Sequence, residues 1–255
     1  MMSSIRKTST GCNVALKLDM SKMYDHVSWF FLINVLRRFG SGERFIDMIW
    51  RLVSNVWFSI IINGVSYNFF KSSRGLRQGD PLSSALFIIG VEVLSRGLNS
   101  LALQSGFLGF KVPNGCPHVA NLTFADDVLI FANGSAMSLK NIRQVLDLYQ
   151  KSSRQPMNGQ KSGYLVHLSL LLALRRVIER ITMFSRQQFL VRCLGFPLFF
   201  EKCKSLYYGE VSQAILGRIL SGKSKFLSLG GKIILIKHVL SSIPMHLLSA
   251  IVLPS

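Results

Sequence analysis

Leu122-Thr123-Phe124-Ala125-Asp126-Asp127-Val128-Leu129-Ile130-Phe131 reads as two β-rich runs with a pair of adjacent acids between them. His118–Phe124 and Val128–Phe131 have the composition of strands, so the acids are expected on a tight hairpin turn. Acids are scarce in this chain: its 255 residues hold 30 Lys+Arg against 12 Asp+Glu, a net charge of +18. An Asp-Asp pair on a hairpin is by itself most often a solvated turn. A second feature raises its weight. Val14–Leu18 is a short apolar strand ending at Asp19. If that strand lies beside the hairpin in one sheet, Asp19 and Asp126 converge at the sheet's edge. Convergent carboxylates suit nucleotidyl transfer, where two divalent ions about 4 Å apart activate the attacking oxygen and escort the leaving group. Magnesium selects carboxylate oxygens for that purpose.

Outward from these strands the chain alternates helix and strand signals. Trp29–Phe39 has the apolar spacing of a helix, with Ser28 as cap and Gly40 as stop. Phe45–Val53 reads as a second helix. Trp57–Ile62 and Val65–Phe70 form a hairpin across Asn63-Gly64. After a polar loop, Ser72 to Asp80, Pro81 opens a long helix to about Leu103. Leu108–Val112 is strand-like, and Ser135 caps a helix to about Ser153. Beyond Lys161 the pattern turns to basic amphipathic helices with few strand signals, which places a boundary near residue 165. The expected fold is α+β: an antiparallel sheet backed by the helices of residues 28–53, 81–103 and 135–153, then a basic, mainly helical region over 165–255.

Charge is unevenly shared. Residues 1–127 hold 13 basic and 8 acidic side chains, and residues 128–255 hold 17 and 4. The second half is thus the candidate for gripping a phosphate backbone. Cys12, Cys116, Cys193 and Cys203 form no C-x-x-C pair and have no histidines at zinc-site spacing, so free thiols in a reducing compartment are expected. Met1 to Lys17 is polar and interrupted by charge, unlike a secretory leader. Apolar runs such as Leu168–Leu174 are far too short to span a bilayer, and no membrane partner is expected.

The loop Ser73-Arg74-Gly75-Leu76-Arg77-Gln78-Gly79-Asp80-Pro81-Leu82-Ser83 resembles the motif before the template-contacting helix in non-LTR and group II intron reverse transcriptases. Lys17-Leu18-Asp19-Met20-Ser21-Lys22-Met23-Tyr24-Asp25 resembles that family's first metal motif, and Phe124-Ala125-Asp126-Asp127 its second. Asn158-Gly159-Gln160-Lys161-Ser162 is similar to the fourth motif. Cys193-Leu194-Gly195-Phe196-Pro197-Leu198 is similar to the primer grip, with Cys193 where an aromatic usually stands. Leu227-Ser228-Leu229-Gly230-Gly231-Lys232 and Ser241-Ser242-Ile243-Pro244 look like the thumb and connection of plant elements. The match runs in order from about residue 13 to the end. It is that of a plant-type non-LTR (LINE-like) retrotransposon reverse transcriptase, with residues 1–164 as palm and 165–255 as part of the thumb and connection.

The resemblance implies RNA-directed DNA synthesis, with RNA template, DNA primer and deoxynucleoside triphosphates as partners. It implies two Mg2+ ions, with Mn2+ as the alternative. Asp19 and Asp126 would bind both ions with Asp127 beside them, either as a further ligand or in a structural role. Tyr24 would stack under the incoming sugar and reject a 2′-OH. Gln78 and Gly79 would face the template–nucleotide pair, and Arg77 would touch the backbone or stand as a surface arginine. Lys161 would protonate the leaving pyrophosphate or simply bind phosphate. Asp25 is expected to pair with Lys22 or a helix end. Only eighteen residues precede Asp19, too few for the family's basic fingers, so a truncated element in a nuclear setting is expected. A non-catalytic nucleic-acid-binding remnant and a group II intron maturase are the alternatives.

Overall fold

The computed structural model describes residues 13–112, 115, 118–124, 127–167 and 170–187, and further on 192–193, 196–197, 213, 216–217, 219–220 and 227–240. The chain divides into two compact units, one reaching Gln187 and one from Gln188 onward. The first unit is built on a five-stranded sheet. In chain order its elements are β1 (Asn13–Asp19), α1 (Trp29–Arg38), α2 (Glu43–Ser54), β2 (Trp57–Ile62), β3 (Val65–Lys71) and α3 (Pro81–Ser100). Then come β4 (Asn121–Phe124), β5 (Asp127–Asn133), α4 (Ala136–Ser153), β6 (Gly163–Leu165), α5 (Leu172–Thr182) and β7 (Ser185–Arg186).

The strand order is β4-β5-β1-β6-β7, antiparallel except for the β6–β7 pair, while β2 and β3 form a separate two-stranded hairpin. Side chains alternate across a strand, and this sorts β1 into two faces. Val14, Leu16 and Leu18 lie opposite Ala132, Ile130 and Val128 of β5, and all six are buried in the core. Leu32, Leu36, Leu94, Leu98, Leu139 and Leu146 of the backing helices belong to the same core. Each such side chain contributes about 1.5–3 kcal/mol by burial. The other face carries Asn13, Ala15, Lys17 and Asp19, opposite Asn133, Phe131, Leu129 and Asp127. The site therefore has its own side of the sheet.

The helices begin where local chemistry says they should. The Ser28 hydroxyl accepts from the Phe31 N–H, Asp80 from Leu82, and Ser135 from Ser138. Capping of this kind is worth about 1 kcal/mol per helix. With the turn that follows it, α3 runs 23 residues to Leu103, apolar enough by length and composition to cross a bilayer. It is far longer than the short apolar runs singled out from sequence. Leu86, Phe87, Val91, Leu94 and Leu98 nonetheless face the core.

Two expectations change. Leu108–Val112 forms no strand; Gly109 makes a single bridge to Ala132. The region after Lys161 does contain strands: β6 pairs with β1, and β7 pairs with β6. Arg143 of α4 also donates to the Thr182 carbonyl of α5. These ties carry the first unit past the boundary expected near residue 165. The described residues of the second unit include the short hairpin Arg192–Cys193 with Phe196–Pro197, helical residues at 213, 216–217 and 219–220, and a helix, Leu229–Ile234, that continues as a π-helix over Leu235–Leu240.

Two tyrosines carry a pH dependence. The Tyr149 hydroxyl donates to Gln155 Oε1, and the Tyr164 hydroxyl donates to Glu179 Oε1 at 2.8 Å. Burial, the larger cause in both, pushes each phenol above its ordinary value of 10.0. At Tyr164 the neighbouring Glu179 adds to the rise. A raised pKa in the fold means stability that is complete below about pH 10 and lost as pH climbs through the folded value. Tyr149 alone should lose about 1 kcal/mol between pH 10 and 11. The melting temperature should thus fall above pH 10, and Tyr149→Phe with Tyr164→Phe should flatten that decline. An equally steep fall in the double variant would assign the alkaline loss to other groups.

Candidate active site at the strand ends

Asp19 closes β1 and Asp127 opens β5, and the two are direct cross-strand partners. Their carboxylates share the face that also carries Lys17, two residues before Asp19. The Lys17 Nζ lies 3.4 Å from Asp127 Oδ1. Asp127 is therefore on the strand rather than on the turn: Phe124 pairs with Asp127, leaving Ala125 and Asp126 between them. Asp126 lies outside the described residues, as does Ala125.

Asp19 is held by the segment that resembles the fourth motif. Its backbone N–H donates to Ser162 Oγ at 3.0 Å, and its carbonyl accepts from the Asn158 N–H at 2.8 Å. The Asn158 side-chain oxygen accepts from the N–H groups of Gln160 and Lys161, a local turn of the kind asparagine favours. That turn brings Lys161 Nζ to 4.0 Å from Asp19 Oδ2. Lys161 is 70% exposed whereas the Asp19 carboxyl is 14% exposed, so the lysine sits at the solvent edge of a sheltered acid.

The loop after β3 docks on the segment that follows β1. The Gly75 N–H donates to the Val27 carbonyl, the Leu76 N–H to the Tyr24 carbonyl, and Trp29 Nε1 to the Gly75 carbonyl. Gln78 Nε2 donates to Asp25 Oδ1 at 3.1 Å. Asp25 thus holds Gln78, where the sequence suggested Lys22 or a helix end. Gly79 has φ +85°, a conformation that glycine adopts without strain. Arg77 is exposed beside Asp25 and Arg74 around a cavity of about 220 Å³. Tyr24 packs its ring on Phe87 at 5.2 Å, and its hydroxyl lies 3.3 Å from Ser84 Oγ. Together with Thr123 of β4 these residues line a cleft of about 350 Å³. Tyr24 and the β4–β5 hairpin therefore share one cleft.

Sequence reasoning missed Lys17, Ser162 and the Trp29–Gly75 contact. The period of two along β1 could have found Lys17, because it must share the Asp19 face. Nothing local signals the other two, which depend on contacts 143 and 46 residues apart in sequence.

The chemistry of the donors fits a hard divalent cation. Asp19, sheltered at the end of β1, presents only carboxylate oxygen and already attracts the exposed ammonium of Lys161. Among the described residues no group of three His, Cys, Asp or Glu could hold a metal ion; Asp126 is the further carboxylate of the sequence motif.

A 121-residue stretch is 35% identical to the Pol polyprotein of the R2DM retrotransposable element of Drosophila melanogaster, covering 48% of this chain and 11% of that one. A 242-residue stretch is 26% identical to a 149 kDa protein of the Xenopus laevis transposon TX1, covering 91% of this chain and 18% of that one. An uncharacterized mitochondrial protein of Arabidopsis thaliana is 49% identical over 76 residues, 29% of this chain and 62% of its own length. The chain thus spans only part of each of these relatives. In fold it is similar to telomerase from Candida tropicalis solved with a fragment of telomeric RNA, with a TM-score of 0.51 at 13% identity over 97% of this chain and 40% of that one. Residues 2–198 match the family described as reverse transcriptase (RNA-dependent DNA polymerase), and the chain belongs to that family.

Proposed function

We propose that this chain is the catalytic core of an RNA-directed DNA polymerase of a non-LTR retrotransposon. It would copy an RNA template onto a DNA primer from deoxynucleoside triphosphates, in the nucleus where chromosomal target DNA lies. The observation that carries the reading is the cross-strand pairing of Asp19 with Asp127, with Lys161 near Asp19 and a cleft lined by Tyr24 and by Thr123 of the adjoining strand.

Asp19 and Asp126 would hold two magnesium ions, which when bound would lower the charge barrier to attack and support the leaving pyrophosphate. Lys161 is free enough in solvent to swing from Asp19 toward that pyrophosphate and supply charge or a proton. Tyr24, braced by Phe87 and Ser84, forms a flat wall where the sugar of the nucleotide would rest. Gln78, held by Asp25, and Gly79, which lets the backbone come close, would bound the templating base.

The test is incorporation on a poly-A template with an oligo-dT primer. Synthesis should require template and divalent ion, and chelation should abolish it. Tyr24→Ala should raise ribonucleotide use relative to deoxyribonucleotide use at least about tenfold, since a missing steric wall of this size removes 1–3 kcal/mol of discrimination. Unchanged sugar preference would detach Tyr24 from the nucleotide. Binding of RNA with no incorporation in any length of this protein would favour the remnant reading.

A further inference from the structure

Both described carboxylates of the site face a lysine, but the two lysines are not alike. Lys161 stands on a turn and is 70% exposed. Lys17 is in the middle of the central strand, flanked by Leu129 on β5 and Gly163 on β6, and is 14% exposed. Its side chain rises from the Asp19 face and reaches diagonally across to Asp127, itself 19% exposed, at 3.4 Å. Diagonal neighbours on one sheet face are within reach of a long side chain, and beside this position the Gln187 side chain lies over Gly163. A half-sheltered ammonium between β-strands has little freedom to leave, because separating it from its carboxylate would strand two charges. The consequence falls on Asp127. Next to Asp126 in sequence, it has the chemistry of a ligand, yet its carboxylate is engaged by a fixed cation.

We infer that Lys17 is a positioning residue, holding Asp127 in an ion pair and so withholding that carboxylate from a divalent ion bound at Asp19. This rests on the proposed metal-dependent function and assigns the division of labour within it. Asp127 then serves to neutralise Lys17 beneath the site. Lys17 in turn fixes the spacing of β1 against β5 at the point where Asp19 must meet the hairpin. The arrangement also keeps a third carboxylate from competing for the ion, which would otherwise pull it toward the sheet and away from a nucleotide.

The experiment is Mn2+ binding to the full chain, followed by electron paramagnetic resonance of the free ion. Lys17→Met should tighten binding about tenfold, the low end of what a unit charge at this range does to a carboxylate's affinity for a cation. Lys17→Arg, which preserves the pair, should bind like the parent. The deciding comparison is a double-mutant cycle. With Asn at position 127, Lys17→Met should tighten binding less than about threefold, because no carboxylate remains to be released. Equal gains with Asp or Asn at 127 would show that Lys17 acts only through its field, and would overturn the inference. No gain at all would also overturn it. Lys17→Gln, checked by circular dichroism, replaces Lys17→Met should the methionine variant fail to fold. Loss of fold in both would make the ion pair a folding element and sink the positioning role. Asp19→Asn serves as the separate control. If it leaves Mn2+ binding intact, the metal site itself is wrong, whereas weakened binding with an equal-gain cycle rejects Lys17 alone.

Discussion

Asp19→Asn is expected to lower primer extension at least about a thousandfold, in any length of this protein that extends a primer, while leaving the fold intact. The size follows from what the substitution removes. An amide is a poor magnesium ligand, and losing one preorganised electrostatic contact at a transferring phosphate commonly costs a factor of a hundred to a thousand. A carboxylate that orients the ion acts on more than one contact. The fold should survive because Asp19 is held through its backbone: its N–H bonds Ser162 Oγ and its carbonyl accepts from Asn158. Both bonds remain in the isosteric variant. Asp47→Asn is the matched control, since Asp47 sits on the exposed face of α2, paired with Arg51 one turn away. Surface pairs of this kind contribute little, and extension should be unchanged. Rates within tenfold of the parent for Asp19→Asn, with unchanged circular dichroism, would remove Asp19 from the reaction.

Much of this was legible because the decisive elements are locally encoded. Ser28, Pro81 with Asp80, and Ser135 announce helix starts, and the structure has α1, α3 and α4 beginning at those residues. Asn63-Gly64 announces the β2–β3 hairpin, with both residues at positive φ. The convergence of β1 with the β4–β5 hairpin required a guess about strand neighbours, and the apolar faces of Val14, Leu16 and Leu18 against Val128, Ile130 and Ala132 are what realise it. What was not legible depends on distant partners. Gly163–Leu165 looks like the start of a helical region, yet it is a strand because β1 offers an unpaired edge there. Burial on both sides suits it: Gly163, Tyr164 and Leu165 are all buried. Asp127 reads as a turn residue by composition, but its register with Phe124 places it on the strand. Gln78 reads as part of a polar loop until Asp25, 53 residues earlier, accepts from it.

Gly75→Ala should destabilise the first unit by several kcal/mol and weaken nucleotide or template binding together. Gly75 has φ +87°, where an L side chain is strained by about 1–2 kcal/mol. The new Cβ would also lie 2.7 Å from the Asp25 carbonyl oxygen and 3.0 Å from its carbon. These are backbone atoms, so no rotamer change relieves the clash. The loop must lift, and lifting breaks the Gly75–Val27, Leu76–Tyr24 and Trp29–Gly75 hydrogen bonds, each worth about 1 kcal/mol net. It also exposes Leu76, which is 6% exposed in the docked loop. A total of roughly 3–5 kcal/mol should lower the melting temperature by about 10 °C in a unit of this size. Gln78 lies three residues further on and is aimed by Asp25, so KM for nucleotide or template should rise before kcat falls. Gly79→Ala separates the two causes. It shares a positive φ, +85°, but its added Cβ meets nothing within 4 Å. Conformational strain alone should cost it about 1–2 kcal/mol, with the loop still docked. Similar losses of melting temperature in the two variants would mean that the contact with Asp25 contributes nothing, and that the loop is not clipped to the Tyr24–Val27 segment through Gly75.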